Sequence, residues 1–448
     1  MAEMRFFGSY LTIFSNVLFA LALLMSQPSL AKSSERQNEF YKIIGKHASG
    51  NSIAETKDGY IITGGASDEA GRCCLGWAMK IDKSGNMLWE KKLGENYNDY
   101  NFKKVEVVGD RAIIAGATDI SYKPQWQAGT FASASGWAVR LAEDGTVEWE
   151  KRLKLKERVT YKGVDIVVAP SAIATDAKAV KEDRVIISGF LRYGISDEPI
   201  LWMLDSKGEV IWETRSDIER HQSISVDAVY PLQGGDFAAA GWMIDRSSNT
   251  TGIWLSRIGQ DGKVLWNKLL EDKAYKTNDP VSPSLSLTES VDGGIIIGAG
   301  QEYLKLDTGD DAGSTRVAVP SGKGSVRLIK LKKNGALEWK KNIETPGICG
   351  IKAIWATHEG EAEMVAVGKT CAGEGKRLWA ATLSSSGEIK SIKRFLQVKR
   401  AYVHQVIPAG DGGLIAVGTS YENEKTNSRV TWIYRTGLVD NVNRDKKR

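Results

Sequence analysis

A short phrase that keeps returning along the chain constrains its fold more than any single residue does. It reads Gly76-Trp-Ala-Met-Lys-Ile-Asp-Lys-Ser-Gly85-Asn-Met-Leu-Trp89, then Gly136-Trp-Ala-Val-Arg-Leu-Ala-Glu-Asp-Gly145-Thr-Val-Glu-Trp149. Variants end at Gly208/Trp212, Gly262/Trp266 and Gly335/Trp339, and a decayed copy at Gly387 carries Ser391 where Trp is expected. The Trp-to-Trp intervals are 60, 63, 54 and 73 residues, the scatter of one fixed unit carrying loops of different length. Such units are blades of a repeat fold, and the 448 residues need no division into separate domains.

Ahead of each copy lies an apolar strand closed by glycine. Examples are Asp58-Gly-Tyr-Ile-Ile-Thr-Gly-Gly65, Asp183-Arg-Val-Ile-Ile-Ser-Gly189, Gly235-Asp-Phe-Ala-Ala-Ala-Gly241 and Asp411-Gly-Gly-Leu-Ile-Ala-Val-Gly418, and seven such strands occur. These runs are too short for helices and rich in β-branched residues, and Asp-Gly supplies a turn that tolerates positive φ. Each repeat therefore reads as a four-stranded antiparallel meander, A to D. Seven of them in a ring give an all-β, seven-bladed β-propeller, which hides sheet edges by packing blade on blade. The seventh repeat lacks a fourth strand after Thr431-Trp-Ile-Tyr-Arg-Thr436. Phe40-Tyr-Lys-Ile-Ile-Gly45 resembles the strand Trp89-Glu-Lys-Lys-Leu-Gly94, so the mature N-terminal strand is expected to close the ring.

Before that strand, Arg5 precedes an apolar run from Phe6 to Met25, a Pro28 break and the small-x-small site Ser29-Leu30-Ala31. This is the pattern of a secretory signal peptide spanning residues 1–31, cleaved after Ala31, and no cysteine nearby suggests a lipid anchor. No later run is long enough to span a bilayer, so the expected organisation is a soluble periplasmic or secreted propeller over 32–438, with a basic tail at 439–448. The 60 Lys+Arg against 55 Asp+Glu leave a spread net charge of +5, which gives no reason to expect nucleic-acid binding. A monomer is expected.

The repeats resemble secreted bacterial propellers with tryptophan-docking (PQQ-like) repeats, a group that includes quinoprotein dehydrogenases and the barrel-assembly scaffold propeller. The resemblance implies the architecture and leaves activity open, since such rings host enzymes, scaffolds and binding modules alike. It implies that Trp89, Trp149, Trp212, Trp266 and Trp339 lie against the neighbouring blade, each indole N–H meeting a backbone partner. Trp77, Trp137, Trp254, Trp379 and Trp432 recur at a second position and read as core. Trp126, Trp242 and Trp355 fall outside both phrases, and Trp126, in a long loop, is the one placed to stack on a ligand. The turn Asp82-Lys-Ser-Gly85 is shorter than the quinoprotein form, which places the chain nearer the non-catalytic members. Adjacent cysteines such as Cys73-Cys74 stand against the quinone in some quinoprotein alcohol dehydrogenases. Those enzymes also need a calcium-binding Asp/Glu/Asn set that is not found here, so neither PQQ nor Ca²⁺ is expected.

Cys349 starts strand A of the sixth repeat and Cys371 follows its strand B, which places them opposite each other for a cross-strand disulfide in an oxidising compartment. Cys73 and Cys74 form either a vicinal disulfide or a pair of loop thiols. Propeller ligands bind on the face built from the B–C and D–A loops. Two B–C loops are long, Thr118 to Ser135 and Gln301 to Lys323, the latter with Tyr303 and the acidic run Asp307-Thr-Gly-Asp310-Asp311. His47, His221 and His404 enter A strands on that face, and His358 falls on the opposite one. His404, Tyr402, Asp227 and His221 are the candidates for the channel mouth, with Trp126 and Tyr303 from the loops. Asp165 and Asp227 are inner-strand carboxylates that could pair across blades. No nucleophile elbow, Walker loop, dinucleotide fingerprint or zinc spacing occurs. The expected function is therefore non-catalytic binding or scaffolding of a protein, small-molecule or carbohydrate ligand through the loop face. The alternative is a periplasmic lyase, hydrolase or quinoprotein dehydrogenase with its site at the channel mouth.

Overall fold

In the computed structural model, the described residues are 39–67, 72, 74–94, 101–118, 134–155, 157–161, 164–168, 170–193, 196–216, 222–248, 250–276, 281–307, 317–344, 346–357, 364–371, 378–396, 402–410, 412–423 and 428–436. They form seven four-stranded antiparallel sheets and one separate two-stranded hairpin. Blade 1 runs Ala48–Glu55, Gly59–Ala66, Leu75–Asp82 and Met87–Leu93, and blades 2 to 6 repeat that order. Their A strands are Asn101–Val108, Ser171–Val180, Gln222–Pro231, Val281–Glu289 and Ile348–Ala356. Blade 7 takes Tyr402–Pro408, Leu414–Asn423 and Ser428–Arg435 from the C-terminal end and its outer strand, Phe40–Lys46, from the N-terminal end. The closure read from the sequence is therefore what the chain does. Each A strand contacts the A strands of both neighbouring blades, so these strands line the axis.

Two departures from the sequence reading stand out. Asp165 is not on an inner strand: it lies in the separate hairpin Glu157–Tyr161/Val164–Val168, inserted between blades 2 and 3, and the inner-strand carboxylate of blade 3 is Asp176. The segment from Gln301 is not a loop throughout. Strands Ile295–Asp307 and Val317–Leu331 stay paired from Leu304–Pro320 to Asp307–Val317, beyond the end of the blade.

The glycine that closes strand B has a specific cause. In blades 1, 2, 3, 4, 6 and 7 the inner strand carries a one-residue register shift at Asn51, Lys103, Thr175, Asp227, Lys352 and His404 respectively. Such a bulge pushes the strand-A backbone toward strand B. A Cβ on Gly64, Gly241 or Gly368 would stand 1.8 Å from the carbonyl oxygen of Ser49, Ser225 or Gly350. Blade 5 provides the control within the same molecule. Its inner strand pairs with strand B without a shift, and Ala299 stands opposite Leu285 where the other blades place glycine.

Blade-to-blade contacts repeat with the same regularity. The indole N–H of Trp89, Trp149, Trp212 and Trp339 donates to the carbonyl of Glu143, Ser206, Gln260 and Ser385, each in the C–D turn of the following blade. The turn glycine beneath each ring adopts positive φ, and a Cβ at Gly145, Gly208, Gly262, Gly335 or Gly387 would sit 2.8 to 3.1 Å from the tryptophan of the preceding blade. Phe40 occupies the docking position of blade 7, opposite Arg435 as Trp89 is opposite Lys80, and faces Gly85 of blade 1. Ser391 is explained by the same geometry. Blade 6 precedes blade 7, whose outer strand comes from the other end of the chain, so no C–D turn exists there for a tryptophan to dock on.

Inner strands are sheet edges, and each exposes backbone amides toward the axis that need partners. The side chain following a bulge supplies one. Ser52 accepts from the Val105 amide, Asp176 from Val229 and Gln405 from Ile53, and in blade 5, which has no bulge, Ser286 accepts from Ile354. Each link crosses from one blade to the next, so the ring is stitched at its inner wall as well as at its rim.

On the A–B turn face, strand C contributes nearly buried cations. Lys80 pairs with Asp58, Arg257 with Asp236, Lys330 with Asp292 and Glu338, and Arg140 with Asp183 of the next blade. Burial alone would raise the Asp292 carboxyl, but hydrogen bonds from Lys330, Ser290 and the Gly294 amide outweigh it and hold it at about 2. A carboxylate depressed on folding stabilises the protein above its unfolded pKa of roughly 4 and loses that contribution as pH falls through the folded value. Lys330→Met should therefore flatten the fall in melting temperature between pH 4 and pH 2. Parallel wild-type and variant profiles would contradict this.

Candidate functional site

The bulged residues fall between the third and the sixth residue of inner strands that run inward from the B–C loop face. Asn51 reaches across to blade 2, donating to Asn101 Oδ1 at 2.7 Å and the Phe102 carbonyl at 2.8 Å. Thr175 donates likewise to the Val226 carbonyl of blade 4. These contacts run between the inner strands of neighbouring blades, so Asn51 and Thr175 belong to the inner wall of the ring.

His404 Nε2 lies 3.0 Å from Thr419 Oγ1, and Thr419 lies 3.0 Å from Ser49 Oγ of blade 1. Burial first, and then the charges of Lys352, Lys103, Arg429 and Lys369, push the His404 imidazole down to about 3. It is therefore neutral near pH 7. Lys103 stands two blades round from His404, and its charge acts on the imidazole from there. The Lys103 side chain is exposed, yet the protein around the channel still pushes its ammonium below the ordinary lysine value.

Blade 6 contributes two of these cations from strands that are locked together. Lys352 is the bulge of strand A and Lys369 sits on strand B. Cys349 and Cys371 join the same two strands through a buried disulfide with a Cα–Cα distance of 4.8 Å. The Trp379 indole donates to the carbonyls of Gly350 and Lys369, which fixes the pair from the blade interior.

On the opposite side of the ring stands Asp227. Its Oδ2 is buried without a hydrogen-bond partner. Burial raises the carboxyl to about 7, with Asp176 adding to the rise and a hydrogen bond from the Trp242 amide opposing it. The indole nitrogen of Trp242 is also buried without a partner. Beyond the bulges the charges are paired across blades 2 and 3, Lys104 with Asp176 and Lys178 with Glu106.

Of the residues singled out from the sequence, His404 and Asp227 occupy equivalent bulge positions in blades 7 and 4. Among the described residues no hydrogen bond or ion pair joins them. Tyr402 begins the inner strand of blade 7 and is 53% exposed. Tyr303 lies in the extended hairpin of blade 5 opposite Val281, with its side chain outside the described residues. His221, Trp126, Cys73, His358, Asp310 and Asp311 also lie outside them, whereas Cys74 is disulfide-bonded. The predicted Cys349–Cys371 bridge is present. Among the described residues no group of three or more His, Cys, Asp or Glu side chains is placed to hold a metal ion. Asn51, Lys103, Thr175, Lys352, Lys369 and Arg429 escaped the sequence reading. The strand-B glycine was the available signal for the bulges, since it marks where strand A must carry an extra residue.

No family model matches the sequence, and no curated protein sequence matches it. In fold, the chain is similar to the polysaccharide lyase Uly1, with 9% identity and a TM-score of 0.52 over 87% of this chain and 90% of that one. It is also similar to Sqt1 from Chaetomium thermophilum, at 10% identity and a TM-score of 0.46 over 89% and 98% of the two chains. A third likeness is to the β-propeller domain of the Trilobed protease from Pyrococcus furiosus, at 10% and 0.43 over 91% and 99%. At such identities the likeness concerns the propeller fold alone.

Proposed function

We propose that this chain is an exported, soluble propeller that works as a non-catalytic binding module and holds its ligand at the mouth of the central channel. The observation that carries this reading is a contrast between positions. Those that build the ring repeat the same residue, Trp on the turn glycine and glycine opposite the bulge. The six bulge positions are equivalent in the fold, yet hold Asn51, Lys103, Thr175, Asp227, Lys352 and His404. Repetition serves the architecture, whereas chemical variety at equivalent positions of the inner wall serves recognition.

Export is supported by the buried Cys349–Cys371 disulfide, which needs an oxidising compartment, and by the signal-peptide pattern of residues 1–31. No described helix is long and apolar enough to cross a membrane. The indole-to-turn contacts favour kinship with the tryptophan-docking propellers, whose scaffolding members bind without catalysing a reaction.

One observation favours a second reading. Asp227 has a partnerless oxygen and a carboxyl raised to about 7, which suits a group that gives and takes a proton near neutral pH. An exported lyase or hydrolase would use it so, and Uly1 is itself a polysaccharide lyase. The two readings separate in one experiment: a glycan array probed with the chain from residue 32 onward, followed by product analysis on any captured glycan. The binding reading expects capture that His404→Ala abolishes and that Glu148→Ala preserves, Glu148 being paired with Arg111 and Arg140 on the A–B turn face, with no product. Product formation lost in Asp227→Asn while capture persists would replace it with the enzyme.

A further inference from the structure

The outer strand of blade 4 differs from the other six outer strands. Val264–Lys276 runs for 13 residues, whereas the rest have six or seven. It stands last in its sheet, and no other described strand pairs with the side turned away from strand C. An unpaired edge of that length is a template for another strand unless its side chains forbid one. The outer strands of blades 6 and 7, Ile389–Phe395 and Phe40–Lys46, carry cations and no acid, which repels a second strand. Blade 4 instead carries both signs, Lys268, then Glu271 and Asp272, then Lys273, and leaves Leu265 and Leu269 exposed at 52% and 37%. Lys268 is also without the partner that its counterpart has in blade 2. Lys151, two residues after Trp149, pairs with Glu209 next to the turn glycine of the following blade. Lys268, two residues after Trp266, meets a turn in which Ala336 follows Gly335, and it makes no ion pair among the described residues.

We propose that this edge is the interface of a two-fold symmetric dimer, in which a second copy of the chain lays its own Val264–Lys276 antiparallel to it and joins the two blade 4 sheets into one. A symmetric antiparallel pair sets one residue opposite itself, and that residue decides every other pairing. Centring on Lys268, Glu271 or Asp272 puts identical charges face to face, which is destabilising. Centring on Leu269 leaves Lys268 opposite Leu270 and Asp272 opposite Trp266, so neither charge is answered. Leu270 is the midpoint of the strand and gives the favourable register. It sets Lys268 of each copy opposite Asp272 of the other, two opposite-charge pairs at once, and brings the two exposed Leu269 residues into diagonal contact. The stretch this pairing needs, Lys268 to Asp272, follows strand C without a shift. A dimer departs from the monomer expected from the sequence. It is independent of ligand binding at the channel mouth, which lies at the inner strands.

Sedimentation velocity on the chain from residue 32 onward, at about 1 to 100 µM, tests this. The wild type should pass from monomer to dimer over that range, and amide hydrogen exchange within 264–272 should slow at the higher concentration. Lys268→Asp and Asp272→Lys each set like charges opposite one another, and each should raise the dissociation constant by roughly tenfold or more. Lys268→Asp combined with Asp272→Lys restores opposite charges and should restore the dimer. A wild type that stays monomeric at about 100 µM overturns the proposal, and so does a dimer whose exchange within 264–272 does not change with concentration. A dimer that both single substitutions leave intact, or that the combined substitution fails to restore while the chain stays folded, overturns it as well. Should a variant fail to fold, the wild-type exchange measurement decides alone.

Discussion

Removal of residues 38–46 should lower the melting temperature by roughly 10 °C or more, or leave the chain unable to fold, because one strand closes the ring. Phe40–Lys46 pairs with strand C of blade 7 from Arg435 to Val430. Its loss would expose that strand as an unpaired edge. Tyr434 would lose its hydrogen bond to Glu39, Lys42 its bond to Asn86 of blade 1, and Gly85 its packing against Phe40. Phe40 and Ile44 also cover the core shared by blades 7 and 1, which includes Ile62, Trp77, Val417 and Ile433. Calorimetry on the truncated chain measures the effect, and a melting temperature within 2 or 3 °C of wild type, an interval roughly that of 1 kcal/mol, would show that the ring is held by other means.

The second large effect is expected from a single methyl group. Gly241→Ala places a Cβ 1.8 Å from the Ser225 carbonyl oxygen and 2.8 Å from Val226 Cα. Both are backbone atoms fixed by the bulge at Asp227, so no side-chain rotation relieves the clash. Either strand A moves or the bulge is lost, at a cost of about 3 kcal/mol or more. Gly234→Ala in the same blade is the control, since nothing lies within 4 Å of its Cβ and its φ is ordinary. Urea unfolding should separate the two by most of that cost. Equal midpoints would mean that the glycine is not there to admit the bulge.

Most of the ring was legible because it is written in residue types that few other structures require at fixed spacing. Trp149 and Gly208 stand 59 positions apart, and their contact recurs wherever the phrase recurs. Closure could be read because Phe40-Tyr-Lys-Ile-Ile-Gly45 repeats the pattern of a D strand, and the disulfide because Cys349 and Cys371 flank one hairpin. Other features depend on pairing, which residue types do not encode. Asp165 alternates like an inner-strand residue, but the strand around it pairs within its own hairpin. Trp202 is buried as deeply as the strand-C tryptophans, yet stands two positions further along its strand, opposite Ile187 rather than Gly189, and so matched neither phrase.

The channel mouth was the least legible part for the same reason. His404 was found because histidine is scarce in this chain, whereas Lys103 is one of 60 basic residues. Its position becomes special only when a register shift places it where its charge reaches His404. Asp227 was chosen as an inner-strand carboxylate, and its partnerless oxygen follows from burial beside Trp242, which depends on the fold of the blade.

The claim that joins fold and function is that repeated positions hold the ring together while the varied bulge positions hold the ligand. An alanine scan over both sets, read by melting temperature and by affinity for the glycan captured by the wild type, tests it most directly. Alanine at Lys103, Lys352 and His404 should weaken binding, and at the exposed Lys103 it should leave the melting temperature within about 2 °C, a change worth less than about 0.5 kcal/mol of stability. Alanine at Trp149, Trp212 and Trp339 should lower the melting temperature markedly while the folded fraction binds as before. Bulge substitutions that destabilise the ring as the tryptophan substitutions do, and leave affinity unchanged, would contradict the account.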